Sequence, residues 1–277
     1  MKKILVPVDF GPSSESALKI ASEIAKKFDA DILLVHMMGI ADGFLTKESY
    51  SGNDGIYHLK LVEKKLTDFL DKDYLEGLRI SYAIKNHRFF DHIDSVINEQ
   101  QPDLIVMGTH DSKGFEEFFN STHTQKLARN TSVPILAVKK QMSQLNTGKA
   151  IVACDFSLES AESFKTIIDF CNALNFDVEI VHVNQPSESF KSTHEVENKI
   201  EKFATHLQEP YQKALIKINH YDDYGVENGI LHVADDKNAD LIAVATHGRK
   251  GFAHFLLGSV GESIVDDAPV PVLTVKM

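Results

Sequence analysis

Apolar runs and helical periodicities alternate along the whole chain. Residues 3–9 hold a short continuous run, ILVPV, closed by Asp9. A bounded apolar run of this length predicts a strand buried on both faces. In residues 13–28, Ala17, Ile20, Ala21, Ile24, Ala25 and Phe28 recur at helical spacing. They predict a helix, either N-capped by Ser13 or Ser14 or opened by Pro12 in its first turn. Residues 31–38 (DILLVHMM) predict a second strand, and 39–55 a polar, glycine-containing excursion. A helix is predicted over 56–70, a strand over 78–84, a helix over 89–99 and a strand over 104–107. A helix over 117–129 and a strand over 133–138 close the first half. Strands that alternate with helices imply right-handed crossovers and a parallel sheet covered on both faces.

The second half repeats the first. Val6, Asp9, Phe10, Ser14, Asp31, Val35 and His36 recur at a constant offset of 146 as Val152, Asp155, Phe156, Ser160, Asp177, Val181 and His182. Asp103, Thr109, His110, Lys113, Gly114, Phe115 and Pro134 recur at an offset of 137 as Asp240, Thr246, His247, Lys250, Gly251, Phe252 and Pro271. Two offsets, each held over many identities, mark a fused pair of homologous domains. The drop in offset makes the second copy nine residues shorter, mostly at the 39–55 excursion. The polar stretch 141–149 (QMSQLNTGK) breaks the pattern and reads as the linker, giving domains at 1–140 and 149–277.

Composition narrows the function. The chain has 277 residues, enough for two domains, and an ordinary 43% hydrophobic content. A net charge of −11 argues against a nucleic-acid partner, since phosphate backbones want a basic face. No apolar run reaches the length of a membrane span, so no membrane partner is expected. Only Cys154 and Cys171 are present, which suits a reducing cytoplasm rather than a disulfide framework. The 13 histidines are scattered without ligand-pair spacing, so no metal site is expected.

The chemistry concentrates in residues 240–259, DLIAVATHGRKGFAHFLLGS. A buried strand leads into His247 and Gly248, then Gly258-Ser259, then a helical stretch over 260–267. Strand, glycine-bearing loop, glycine-hydroxyl pair and helix is how an α/β domain cradles phosphate. Glycines let backbone N–H groups approach the anion, and the helix dipole favours negative charge. It is neither a P-loop nor GxGxxG. The other reading is a glycine-rich connection without a ligand.

The spacing Ala245-x2-Gly248-x9-Gly258-Ser259 resembles the nucleotide loop of the universal stress protein family, with alanine at its first glycine. The resemblance covers both halves. It implies an α/β fold of two tandem doubly wound, Rossmann-like or flavodoxin-like domains, each with a five-stranded parallel sheet. It implies a stress-response protein binding ATP or another adenine nucleotide, with or without Mg, at the carboxyl ends of the strands. By resemblance, Ala153, Cys154 and Asp155 end the first strand of the second copy beside adenine and ribose, and Val183 meets adenine through its backbone. Asp155 can instead cap the following helix. Ala245, His247, Gly248, Gly258, Ser259 and Val260 would surround ribose and phosphates, with Arg249 either neutralising charge or solvated. His182 and Cys154 read as packing groups.

The first copy keeps Gly108 but carries Asp111 for Gly248 and Ser121-Thr122 for Gly258-Ser259. A carboxylate facing phosphates costs roughly 4 kcal/mol at 4 Å and an effective dielectric near 20. The nucleotide is therefore expected in the second copy alone. The copies are expected to pack as an intramolecular pseudo-dimer through their last strands, 133–138 and 270–275, and the whole chain to form a homodimer. Binding without turnover is the leading reading. A slow ATPase or nucleotidyl-transfer enzyme on the same fold, or a ligand-free structural dimeriser, stands beside it.

Overall fold

A computed structural model describes residues 1–37, 53–85, 89–109, 131–140, 142–186, 190–246 and 260–277. The chain divides into two compact units. One comprises Met1–His123 with Val138–Gln144, the other Thr124–Ala137 with Leu145–Met277.

In the first unit the described elements run β1 (Lys3–Val8), α1 (Pro12–Phe28), β2 (Asp31–Met37), α2 (Asn53–Leu70), β3 (Ile80–Lys85), α3 (Phe89–Gln100) and β4 (Leu104–Thr109). The strands lie in the order β3-β2-β1-β4. β1 pairs parallel with both β2 and β4, and β2 with β3. Every residue of β4 is buried, as its run LIVM demands. α1 starts two or three residues earlier than a serine cap would allow. Gly11 is the N-cap and Pro12 the first helical residue, because proline's fixed φ is already helical. Ser14 instead donates to Asp9 Oδ1 at 2.7 Å. α2 starts at Asn53, three residues before the first apolar position of its pattern. Periodicity registers only apolar positions, whereas Asn and Asp suit a helix's first turn. The rest of the 39–55 excursion and the helix predicted over 117–129 lie outside the described residues.

The second unit takes in Ile135–Ala137 of β5 (Ile135–Lys139), then β6 (Lys149–Ala153), α4 (Ala161–Leu174), β7 (Asp177–Asn184) and α5 (Thr193–His206). It continues with α6 (Tyr211–Ala214), β8 (Ile218–Asp222), α7 (Val226–Asp236), β9 (Leu241–Thr246), α8 (Val260–Asp267) and β10 (Val272–Lys276). Its order is β5-β10-β9-β6-β7-β8. β6 to β10 are mutually parallel, five strands as expected. β5, contributed by the first half of the sequence, pairs antiparallel with β10 in the register Val272↔Ala137, Leu273↔Leu136 and Thr274↔Ile135.

The repeated aspartates have visible duties. Asp103 Oδ2 accepts from Lys2 N at 2.5 Å and Lys3 N at 2.9 Å, and Asp240 Oδ2 accepts from Lys149 N at 2.9 Å. In each copy the carboxylate before the fourth strand holds the start of the first, and so sets the register of the two central strands. The chain leaves β6 toward β7 on one side, while β9 lies on the other. Strand order thus reverses between β6 and β9, which opens a crevice at their carboxyl ends.

Candidate functional site

That crevice is a cleft of about 560 Å³ including its open mouth. Ala153, Cys154 and Asp155 form its floor at the end of β6, and Val244 and Ala245 come from β9. Val181, His182 and Val183 of β7 make a third side. Phe164 and Ile167 of α4 and Val226 and Ile230 of α7 supply apolar walls. Val183 is held there by Gly229 of α7. A Cβ at Gly229 would stand 2.8 Å from Val183 Cγ1, so glycine lets the helix sit close on the strand.

Asp155 brings the carboxylate. Its Oδ1 accepts from Ser157 N–H at 3.0 Å, and α4 begins only at Ala161 with Ser160 at the cap position. Asp155 therefore organises the turn after β6 and does not cap the helix. Its counterpart Asp9 is more fully occupied, since Oδ1 accepts from Gly11 N–H at 2.8 Å as well as from Ser14. Ser160, the repeat of Ser14, donates to Ser157 O at 2.8 Å, as Ser14 also does to Gly11 O at 3.0 Å.

The residue after each aspartate is a phenylalanine in the left-handed region, Phe10 at φ 66 and Phe156 at φ 55. This conformation costs a non-glycine residue about 1–2 kcal/mol. It drives each ring into a histidine: Phe10 lies 4.5 Å from His36, and Phe156 is stacked 5.6 Å from His182. Phe156 also packs edge-on against Phe203 of α5 at 5.7 Å. The two histidines then differ. His36 Nδ1 is bonded to Val8 O at 2.8 Å, whereas His182 Nδ1 is buried with no partner among the described residues. Burial pushes His182 down to about 4, helped by the neighbouring His220, so the ring is neutral. Burial pushes the Cys154 thiol up to about 12, and its Sγ accepts from Phe156 N–H. It is a small protonated wall group, not a nucleophile.

The first copy is tight at the matching strand end. A Cβ at Gly108 would collide with the carbonyl group of Ser13, because the first turn of α1 lies directly on the end of β4. Ala245 stands at the repeat of Gly108, and in the second copy a 3₁₀ turn, Leu158–Ser160, precedes α4.

Five of the residues singled out in the sequence, Ala153, Cys154, Asp155, Val183 and Ala245, meet on this cleft. Val260 is the first residue of α8. His247, Gly248, Arg249, Gly258 and Ser259 lie outside the described residues. Phe164, Ile167, Val226, Ile230 and the terminal Met277 line the cleft without having been anticipated. At helical spacing they read as ordinary core positions, although Gly229 in mid-helix hinted at a close approach. Among the described residues no three His, Cys, Asp or Glu side chains gather as metal ligands. No described helix is long and apolar enough to cross a membrane.

Repeated doubly wound halves, with a crevice where strand order reverses, define an α/β protein with a candidate small-ligand cleft at its strand ends. The profile of the Universal stress protein family matches residues 1–139 and again 146–276. The chain belongs to that family, with two copies in tandem. It is 32% identical over 150 residues to Universal stress protein MJ0531 of Methanocaldococcus jannaschii, covering 82% of that protein and 50% of this chain. Universal stress protein MJ0577 of the same organism is 29% identical over 102 residues, 62% of its length and 35% of this chain. A crystal structure of a universal stress protein from Archaeoglobus fulgidus shares the fold over 99% of this chain and 98% of its own, at 17% identity and a TM-score of 0.67.

Proposed function

We propose that this chain binds one adenine nucleotide, ATP or a close relative with or without Mg, in the cleft of its second copy. It acts in the cytoplasm, in the response to stress, through binding and partner contacts rather than turnover. The observation that carries this reading is the cleft itself, with apolar walls around a carboxylate at the point where strand order reverses. A flat base suits the walls formed by Val183, Val226 and Ile230, and the Asp155 carboxylate can accept from ribose hydroxyls. The start of α8 at Val260, straight after Gly258-Ser259, offers a helix N-terminus to phosphate. His247, Gly248 and Arg249 complete the proposed phosphate side. The first copy stays empty, for two reasons. Asp111 stands where Gly248 does in the repeat, and the backbone of Ser13 fills the space beside Gly108. Pairing of the copies through β5 and β10, and a homodimer of whole chains, are part of the proposal. The antiparallel register at Ile135–Ala137 supports the former.

Thermal unfolding with and without ATP tests this. At a hundred times the dissociation constant, ATP should stabilise the wild type by about 2.7 kcal/mol. Gly248→Asp should remove that shift. An unchanged shift in Gly248→Asp would refute the assignment to the second copy.

A further inference from the structure

The apolar wall assigned to the base is built by two elements. Val183 comes from β7, and Val226 and Ile230 come from α7. All three are buried. Gly229 sits between Val226 and Ile230 in the chain and is buried with them. Its N–H donates to Gly225 O at 3.0 Å, so the helix runs through it unbroken and makes no use of glycine's backbone freedom. Glycine in a helix interior is less favourable than alanine. What it supplies here is space. A Cβ would stand 2.8 Å from Val183 Cγ1, 3.0 Å from Val183 Cγ2 and 3.1 Å from Asp223 Cβ.

The repeat changes at this place. At the offset of 137, Ile230 and Val233 recur as Ile93 and Val96, but Val226 and Gly229 correspond to Phe89 and His92. The two smaller residues occur in the copy that carries the described cleft.

We propose that Gly229 is the positioning residue of the base wall. By admitting α7 close against β7, it joins Val183, Val226 and Ile230 into one unbroken apolar surface, and so gives the cleft its affinity for a flat aromatic base. The inference rests on the nucleotide reading of the cleft and adds a residue that acts through Val183. A methyl at Gly229 has to push Val183 or α7 aside, because a β-branched side chain is stiff at χ1. A gap of about 0.5–1 Å forfeits a quarter to a half of each contact's attraction.

The test is calorimetric titration of the full-length protein with adenosine and with ATP. The proteins compared are wild type, Gly229→Ala, Val183→Ala and the double variant. Gly229→Ala should weaken adenosine and ATP by the same factor, about tenfold, because only the base contact is lost. In the double variant the methyls that the new Cβ meets are gone. Adding Gly229→Ala to Val183→Ala should therefore cost about twofold at most. Should Gly229→Ala alone not fold, the double variant still decides: it should fold and bind within about twofold of Val183→Ala. A double variant that does not fold would overturn the inference. A fall in the ATP-to-adenosine affinity ratio of Gly229→Ala would mean general disruption of the strand ends and would also overturn it. Unchanged affinity in Gly229→Ala, or the same loss with and without Val183→Ala, would overturn it while sparing the nucleotide reading. A wild type that binds neither adenosine nor ATP would overturn both.

Discussion

Phe10 and Phe156 accept left-handed backbone because each gains a buried aromatic partner in return. Phe156 is 1% exposed, and burying such a ring is worth about 2–3 kcal/mol, more than the strain costs. Nothing in the residue type announces that conformation, since glycine and asparagine are the usual occupants. What was legible was the recurrence of Asp, Phe and His at one offset, together with Asp155 as a polar group of the site. His182 gives the first prediction. Its pKa falls from the ordinary 6.5 to about 4 on folding, mainly through burial. Below 6.5 the unfolded chain takes up a proton that the folded ring refuses until about 4. Stability should therefore be lost as pH falls through that window, by at most about 1.4 kcal/mol per pH unit. Urea unfolding at several pH values should show a flatter profile for His182→Phe, and an identical profile would contradict the account. Gly108 gives the second. A methyl there meets backbone that cannot rotate away, so Gly108→Ala should cost roughly 2–3 kcal/mol in denaturant unfolding. A neutral result would mean that α1 does not lie on β4 as described.

At the level of elements, the strands were the most legible part, because a strand buried on both faces leaves an uninterrupted apolar run. Helix starts were less legible. They depend on caps and proline rather than on periodicity, as Gly11 and Pro12 show at α1. α5 is the exception that carries its own signal: Ser192 accepts from Glu195 N–H, and the Glu195 carboxylate accepts from Ser192 N–H at 2.9 Å. That reciprocal box orders the helix that bears Phe203. Ser192→Ala should cost about 1 kcal/mol in denaturant unfolding. Because α5 is seated by its C-terminal half on Phe156 and Phe164, the loss should appear in stability and not as displaced aromatic packing. Near-ultraviolet circular dichroism unchanged from wild type checks the second half of that statement.

At the scale of the whole molecule, duplication has kept one scaffold and changed the detail at its strand ends. The tandem repeat was legible because both offsets survive in the sequence. The last strands, 133–138 and 270–275, were singled out as a contact, but the antiparallel register of Ile135–Ala137 on β10 was not legible, since both strands carry the same apolar pattern. The cleft walls were illegible for a related reason: Phe164, Ile167, Val226 and Ile230 look like core until strand order reverses beside them. The same scaffold explains the asymmetry. In one copy the first turn of α1 lies on Gly108 and Asp9 is held by Ser14. In the other, a 3₁₀ turn precedes α4, Ala245 lines the cleft, and Asp155 is bonded through Ser157 N–H. The central claim is that one copy holds the ligand while the other supports it. Titration of the full-length protein with ATP in a calorimeter tests it most directly. One nucleotide bound per chain is the predicted result, and two per chain, or none, would contradict it.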